Sequence, residues 1–360
     1  GFTVPAINIR GLTYDTARAI FRSAIKNDSG AFIFEIAESE IGYTEQRPAE
    51  YTACCIAAAI KEGYKGPVFI QGDHFQINAK KFVVNKDAEI NDVKKLIKEA
   101  IDADFFNIDI DASTTVDLDK PSVLEQQRPN FETTAVLTEF IRASEHSGVT
   151  VSVGGEIGEV GGKNSTEEEL RAFMEGFNGS LPKGRKGISK ISIQTGTAHG
   201  GVVLPDGTIA KVKVDFDTIG ALSKVSREVY HLSGVVQHGA STLPDDGFEL
   251  FVKKGASEVH LATGFQNIVY DNPAFPADLK KEIYAHLLAA HADERKATDT
   301  EEQFIYKTRK KGFGPFKERI WTMPEDRRKA IAAEIEAKVD LYFDKLNCKG
   351  NKATVLKFVK

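Results

Sequence analysis

Short β-rich runs alternate with amphipathic helical runs from the first residues to about residue 295. The runs at 5–9, 32–37, 68–71, 105–111, 150–154, 189–194, 234–237 and 258–261 read as strands. Between them, residues 14–27 place Ala17, Ile20, Phe21 and Ala24 at helical spacing. Residues 92–101 repeat the pattern with Val93, Leu96, Ile97 and Ala100. Each such helix has one apolar face to lay against a sheet. Eight βα units without linker, low-complexity tract or internal repeat predict an α/β fold, a (β/α)8 TIM barrel over residues 1–295, with a doubly wound open sheet as the alternative. Residues 296–360 break the alternation. There a charged stretch, 307–311, leads into a helix at about 324–346 with Ile331, Ile335, Val339 and Phe343 in register. This segment is expected to be a C-terminal helical extension of the same domain and an interface element.

Composition narrows the partners. Over 360 residues, 41% hydrophobic and 28% charged content with a net charge of −5 describes a globular protein without the basic excess a nucleic-acid binder needs. No apolar run approaches the roughly 18–20 residues of a membrane span, and the beginning lacks the layout of a signal peptide, so a cytoplasmic location is expected. The three cysteines include the adjacent Cys54 and Cys55 in an Ala-rich helical stretch, which suits packing rather than a disulfide framework or thiolate cluster. A metal in this chain should therefore be held by histidine and carboxylate.

Barrel enzymes assemble their sites from the C-terminal ends of several strands, and the unusual polar residues fall there. Strand 3 leads to Asp73 and His74, strand 4 to Asp109 and Asp111, strand 5 to Glu156, strand 6 to His199, strand 7 to His238, and strand 8 carries His260 and Thr263. Any one histidine is more often a core or loop residue bonded to backbone, but four of the eight sit at strand ends. His74, His199 and His238 meet the three-ligand count of a catalytic zinc with one open position. Gly200 and Gly201 after His199, Gly239 and Ser241 after His238, and Thr263 with Gly264 could cradle a phosphate on backbone N–H groups, although glycines also serve simply to turn the chain.

Together these segments resemble the class II fructose-bisphosphate and tagatose-bisphosphate aldolase family across nearly the whole barrel. The resemblance rests on Asp73-His74, Glu156 ahead of Gly161-Gly162, Ala198-His199-Gly200, and His238-Gly239-Ala240-Ser241. The opening VPAINI is similar to the family's first strand and makes Asn8 a candidate substrate contact. The resemblance implies that His74, His199 and His238 hold a zinc or other divalent ion. It makes Glu156 a nearby or alternating ligand, Asp111 a second metal-associated carboxylate, and Asp73 the base at the hydroxyl of the cleaved carbon. It implies cleavage or formation of a phosphorylated ketose through an enediolate of dihydroxyacetone phosphate, with the ion as Lewis acid and no lysine Schiff base. A homodimer is favoured.

Several positions depart from the family pattern. His260 stands where an asparagine is usual, as a further catalytic candidate, and Ala240, Thr242, Lys163 and Asn164 also differ, which leaves the proton donor open. In the tail, KKGFGPFKERIW resembles the segment that offers an arginine to the distal phosphate of a neighbouring subunit, and Arg319 is the matching residue. Two other readings stand beside the first: a non-catalytic aldolase-like partner subunit, and an aldolase for an unusual ketose phosphate.

Overall fold

The computed structural model describes residues 1–158, 162–196, 203–204 and 214–359. Eight strands close into one parallel barrel in chain order: β1 (Val4–Asn8), β2 (Ile33–Ala37), β3 (Phe69–Gln76), β4 (Asn107–Asp111), β5 (Ser152–Glu156), β6 (Lys190–Ile193), β7 (Val235–Gln237) and β8 (Glu258–Leu261). Closure is made by β1 on β8, with Ala6 opposite His260, so the open-sheet alternative is excluded. The first helix, Thr13–Lys26, buries Ala17, Ile20, Phe21 and Ala24, the stripe its spacing predicts.

Two strands differ from the sequence reading in ways that matter. β3 runs on to Gln76 instead of stopping at 71, so Asp73 and His74 lie within the strand and not after it. Its register against β4 shifts between Gly72 and Phe75, and His74 takes φ +42°, a left-handed conformation that few non-glycine residues adopt. The bulge is where backbone strain and candidate chemistry coincide. β5 ends at Glu156 rather than 154, which puts that carboxylate on the strand's last position.

Parallel barrel strands usually read as continuous apolar runs. Here they alternate. Ile108 and Ile110, Ile191 and Ile193, and Val259 and Leu261 belong to the hydrophobic cluster, while the intervening Asp109, Lys190, Ser192, Glu258 and His260 hydrogen-bond or pair with polar side chains of other strands. The floor beneath the pocket is therefore ionic.

The helix Glu325–Lys345 lies along Thr13–Lys26 through Arg22–Glu336, Lys26–Asp340 and Arg328–Asp15 pairs. Beyond it, Leu346 accepts from the backbone of Thr3, and the Asn351 side chain accepts from Gly30, both residues preceding barrel strands. The last residues thus cover the N-terminal mouth of the barrel. No helix among the described residues is long and apolar enough to cross a membrane.

Candidate metal centre and its pocket

At the C-terminal mouth a pocket of about 530 Å³ is lined by Asn8, Asp73, His74, Asp111, Glu156, Gly239, Ser241, His238, His260 and Thr263, among others. Its volume suits a small molecule. Seven strands contribute to the list, from β1 to the turns after β7 and β8. His199 and Gly200 lie outside the described residues.

His74 sits at the centre. Its Nε2 is 3.0 Å from His238 Nδ1, and its Nδ1 faces Glu156 Oε2 at 3.0 Å and Asp111 Oδ2 at 3.3 Å. His238 in turn sets its Nε2 against Ser192 Oγ at 3.0 Å. Asp73 Oδ1 lies 3.8 Å from both His74 Nε2 and His238 Nδ1. The predicted ligands that are described, together with the predicted base Asp73, therefore form two groups that share His74: Asp73, His74 and His238 on one side, and His74, Asp111 and Glu156 on the other.

This arrangement fits a divalent ion. Two imidazole nitrogens bound tetrahedrally at about 2.0–2.1 Å would lie about 3.3 Å apart, close to the observed pair. The opposite nitrogen of each ring has an orienting acceptor, as ligating histidines almost always do. His74 Nε2 and His238 Nδ1 are thus the atoms suited to ligation, with Asp111 and Glu156 behind His74.

The electrostatics follow from burial. Burial, then the neighbouring Asp111, pushes the Glu156 carboxyl up to about 7, against the opposing pull of His74. Burial opposes charge on Asp73, but His74, His260 and His238 more than offset it and hold that carboxyl well below the usual range. Asp73 is also fixed at both oxygens: Asn8 Nδ2 donates to Oδ2 at 2.9 Å, and His260 Nδ1 lies 3.1 Å from Oδ1.

The remaining predicted residues are placed as follows. Ser241 Oγ accepts from the backbone N–H of Gly264 at 3.0 Å, and Thr263 Oγ1 accepts from Arg10 Nη1 at 3.3 Å. Arg319 is not on the pocket wall; it pairs with Glu282 on an exposed surface. From the same tail segment it is Lys310 that lines the pocket, over the Tyr43 ring at 5.5 Å.

Sequence reasoning passed over Arg10, Glu40, Tyr43 and Lys310, which line the pocket with Arg10 bonded to Glu40 at 2.6 Å. Burial, and Arg10 beside it, lower the pKa of the Lys310 ammonium. Arg10 lies in the loop after β1, Glu40 and Tyr43 share the short helix Glu38–Tyr43, and Lys310 lies in the helical turn Arg309–Gly312, so no single local pattern marks them. It also passed over Glu35, Gln71, Lys190 and Glu258 inside the barrel. For those a signal existed: the alternation in Asn107-Ile108-Asp109-Ile110-Asp111, Lys190-Ile191-Ser192-Ile193 and Glu258-Val259-His260-Leu261.

Residues 1–345 match the family described as fructose-bisphosphate aldolase class-II. No curated protein matches the chain by sequence. Among solved structures it is similar to the YdjI aldolase of Escherichia coli K12, at 12% identity and a TM-score of 0.57 over 98% of this chain and 94% of that one. The fructose-bisphosphate aldolase of Campylobacter jejuni gives 19% identity and 0.56 over 98% and 91%. The fructuronate-tagaturonate epimerase UxaE of Cohnella laeviribosi gives 13% identity and 0.70 over 96% and 81%. At such identities structural likeness shows the shared fold, not a shared reaction.

Proposed function

Because the chain belongs to the class II fructose-bisphosphate aldolase family, we propose that it cleaves and forms a carbon–carbon bond in a phosphorylated ketose, using a divalent ion held by His74, His238 and His199. The observation that carries this reading is the convergence of His74 Nε2, His238 Nδ1 and the Asp73 carboxylate in one pocket. A bound ion would supply Lewis-acid stabilisation of the negative charge that develops beside the ketone. Asp73, kept ionised and held at both oxygens, accepts the proton of the hydroxyl on the carbon that is released. Glu156 and Asp111 orient His74 through Nδ1, and Glu156 would have to swing round that ring to serve as the alternating ligand.

The pocket offers several anion partners. Ser241, Gly239 and Thr263 lie near the turns after β7 and β8, with Gly200 proposed beside them, Arg10 is bonded to Thr263, and Lys310 completes the set. That arrangement suits a sugar carrying phosphate.

A second reading keeps the ion and the base but changes the product. His260 replaces the family's usual asparagine and sets a second titratable group 3.1 Å from the base Asp73. The deciding experiment incubates zinc-loaded protein with fructose 1,6-bisphosphate, tagatose 1,6-bisphosphate and ketose monophosphates, and assays both triose phosphate and isomeric ketose. The expected result is triose phosphate release that a chelator abolishes and added zinc restores. Isomeric ketose without triose phosphate would establish the second reading, and no turnover of any ketose would leave only a non-catalytic role.

A further inference from the structure

Lysine is an uncommon occupant of a barrel interior. Lys190 opens β6 and is 3% exposed. Its Nζ donates to Glu258 Oε1 at 2.6 Å and to Gln71 Oε1 at 2.6 Å, and lies 3.1 Å from Asp109 Oδ1. Room for this knot comes from Gly154 on β5, where a Cβ would collide with the Asp109 carboxylate and press on the Lys190 stem. The knot continues upward: Glu258 Oε1 is 2.7 Å from His260 Nε2, and His260 Nδ1 is 3.1 Å from Asp73 Oδ1. Gln71 Nε2 ties in Glu35 Oε2 and Glu258 Oε1, each at 2.8 Å.

Each ring nitrogen of His260 faces a carboxylate, Glu258 on one side and Asp73 on the other, and the Lys190 ammonium faces Glu258 and Asp109. Removing the ammonium would leave Glu258 as an uncompensated buried charge, which is far costlier than the intact pair. Relief is available if Glu258 turns away or takes a proton, and either change alters the bond at the lower nitrogen of His260 and with it the orientation of the ring towards Asp73.

We propose that Lys190 is a positioning residue for the base Asp73, acting through Glu258 and His260 from beneath the pocket. This rests on the reading of Asp73 as the proton acceptor. Lys190 does not line the pocket, so it acts on Asp73 only through the residues it holds, with Glu258 and His260 as the direct route.

A double-mutant cycle tests this, combining Lys190→Met and His260→Asn and measuring kcat, KM and bound zinc on the bisphosphate that wild type turns over fastest. Lys190→Met should lower kcat about 10- to 10²-fold, as a displaced catalytic group does, with KM and zinc content changed less than about twofold. In the His260→Asn background the same change should cost less than about twofold, because the link it acts through is already gone. Equal losses in both backgrounds would overturn the proposal. If Lys190→Met does not fold, Lys190→Met with Glu258→Gln removes both charges together and is read in the same way. A crystal structure of the variant gives a readout independent of turnover: His260 should no longer contact Asp73, and a retained contact would overturn the proposal. If wild type turns over no ketose phosphate, the aldolase reading fails, and the crystallographic result alone decides whether Lys190 positions Asp73.

Discussion

Asp73 sits where a proton acceptor can be useful, because Asn8 and His260 hold its two oxygens while three histidines keep it charged. In the proposed reading its neighbour His74 holds the ion, so the two roles are separable by mutation. Asp73→Ala should leave the zinc content intact and lower kcat by about 10² to 10⁴, the usual contribution of a positioned base. Zinc loss measured by atomic absorption would instead make Asp73 part of the metal cage. Full turnover with full zinc would remove it from the mechanism.

At the scale of the element, β3 owes its function to the irregularity between Gly72 and Phe75. A Cβ on Gly72 would intrude on the Phe75 ring, which is fully buried and has nowhere to retreat. Gly72→Ala should therefore cost about 1–3 kcal/mol in urea unfolding and weaken zinc binding, since the bulge that aims His74 must shift. Unchanged zinc affinity would separate the bulge from the metal site. The tail makes a second element-level contribution. Arg309 pairs with Asp271 at 2.8 Å on the helix that begins at Thr263, and this contact brings the adjacent Lys310 to the pocket wall. Lys310→Ala should raise KM for a bisphosphate about tenfold, the loss of one charge-assisted contact, with zinc content and kcat little changed. An unaltered KM would place the anion elsewhere.

For the whole molecule, the ionic interior links stability, pH and metal. Burial alone would discharge His74 and His260, but facing carboxylates, Glu156 and Asp73 for the first and Glu35 and Asp73 for the second, hold both above their ordinary 6.5. Stability from a raised histidine is complete below 6.5 and is lost as pH rises through the folded value. Glu156, raised from 4.5 to about 7, likewise withdraws stability as pH rises across that interval. Asp111 and Glu258 are held below 3.8 and 4.5, so their contribution is lost on the acid side. Metal-free protein should thus have its highest Tm between about pH 4.5 and 6.5 and a lower one at about pH 8. Zinc needs the unprotonated His74 nitrogen, so loading should release protons near neutral pH and move the optimum upward. Calorimetry in buffers of different ionisation enthalpy reads the release. A flat Tm in the metal-free protein, or loading without proton release, would contradict the charge assignment.

The eightfold βα alternation, the parallel sheet and most of the residues at its C-terminal mouth were legible in the sequence, because strand and helix periods and the positions of strand ends are local properties. Asp73, His74 and His238 could be read together for that reason. Closure over an open sheet, by contrast, was settled only by the pairing of β1 with β8. Tertiary structure alone decided the rest. Which nitrogen of His74 meets His238 depends on a bulge set by pairing with β4. The column from Lys190 to Asp73 joins residues 68 and 187 positions apart, and Lys310 meets Arg10 and Tyr43 only because the tail folds back over the pocket. Alternating charge along the strands announced a polar interior, but pairing each charge required the barrel to close, since the partners come from non-neighbouring strands that meet only across the barrel interior.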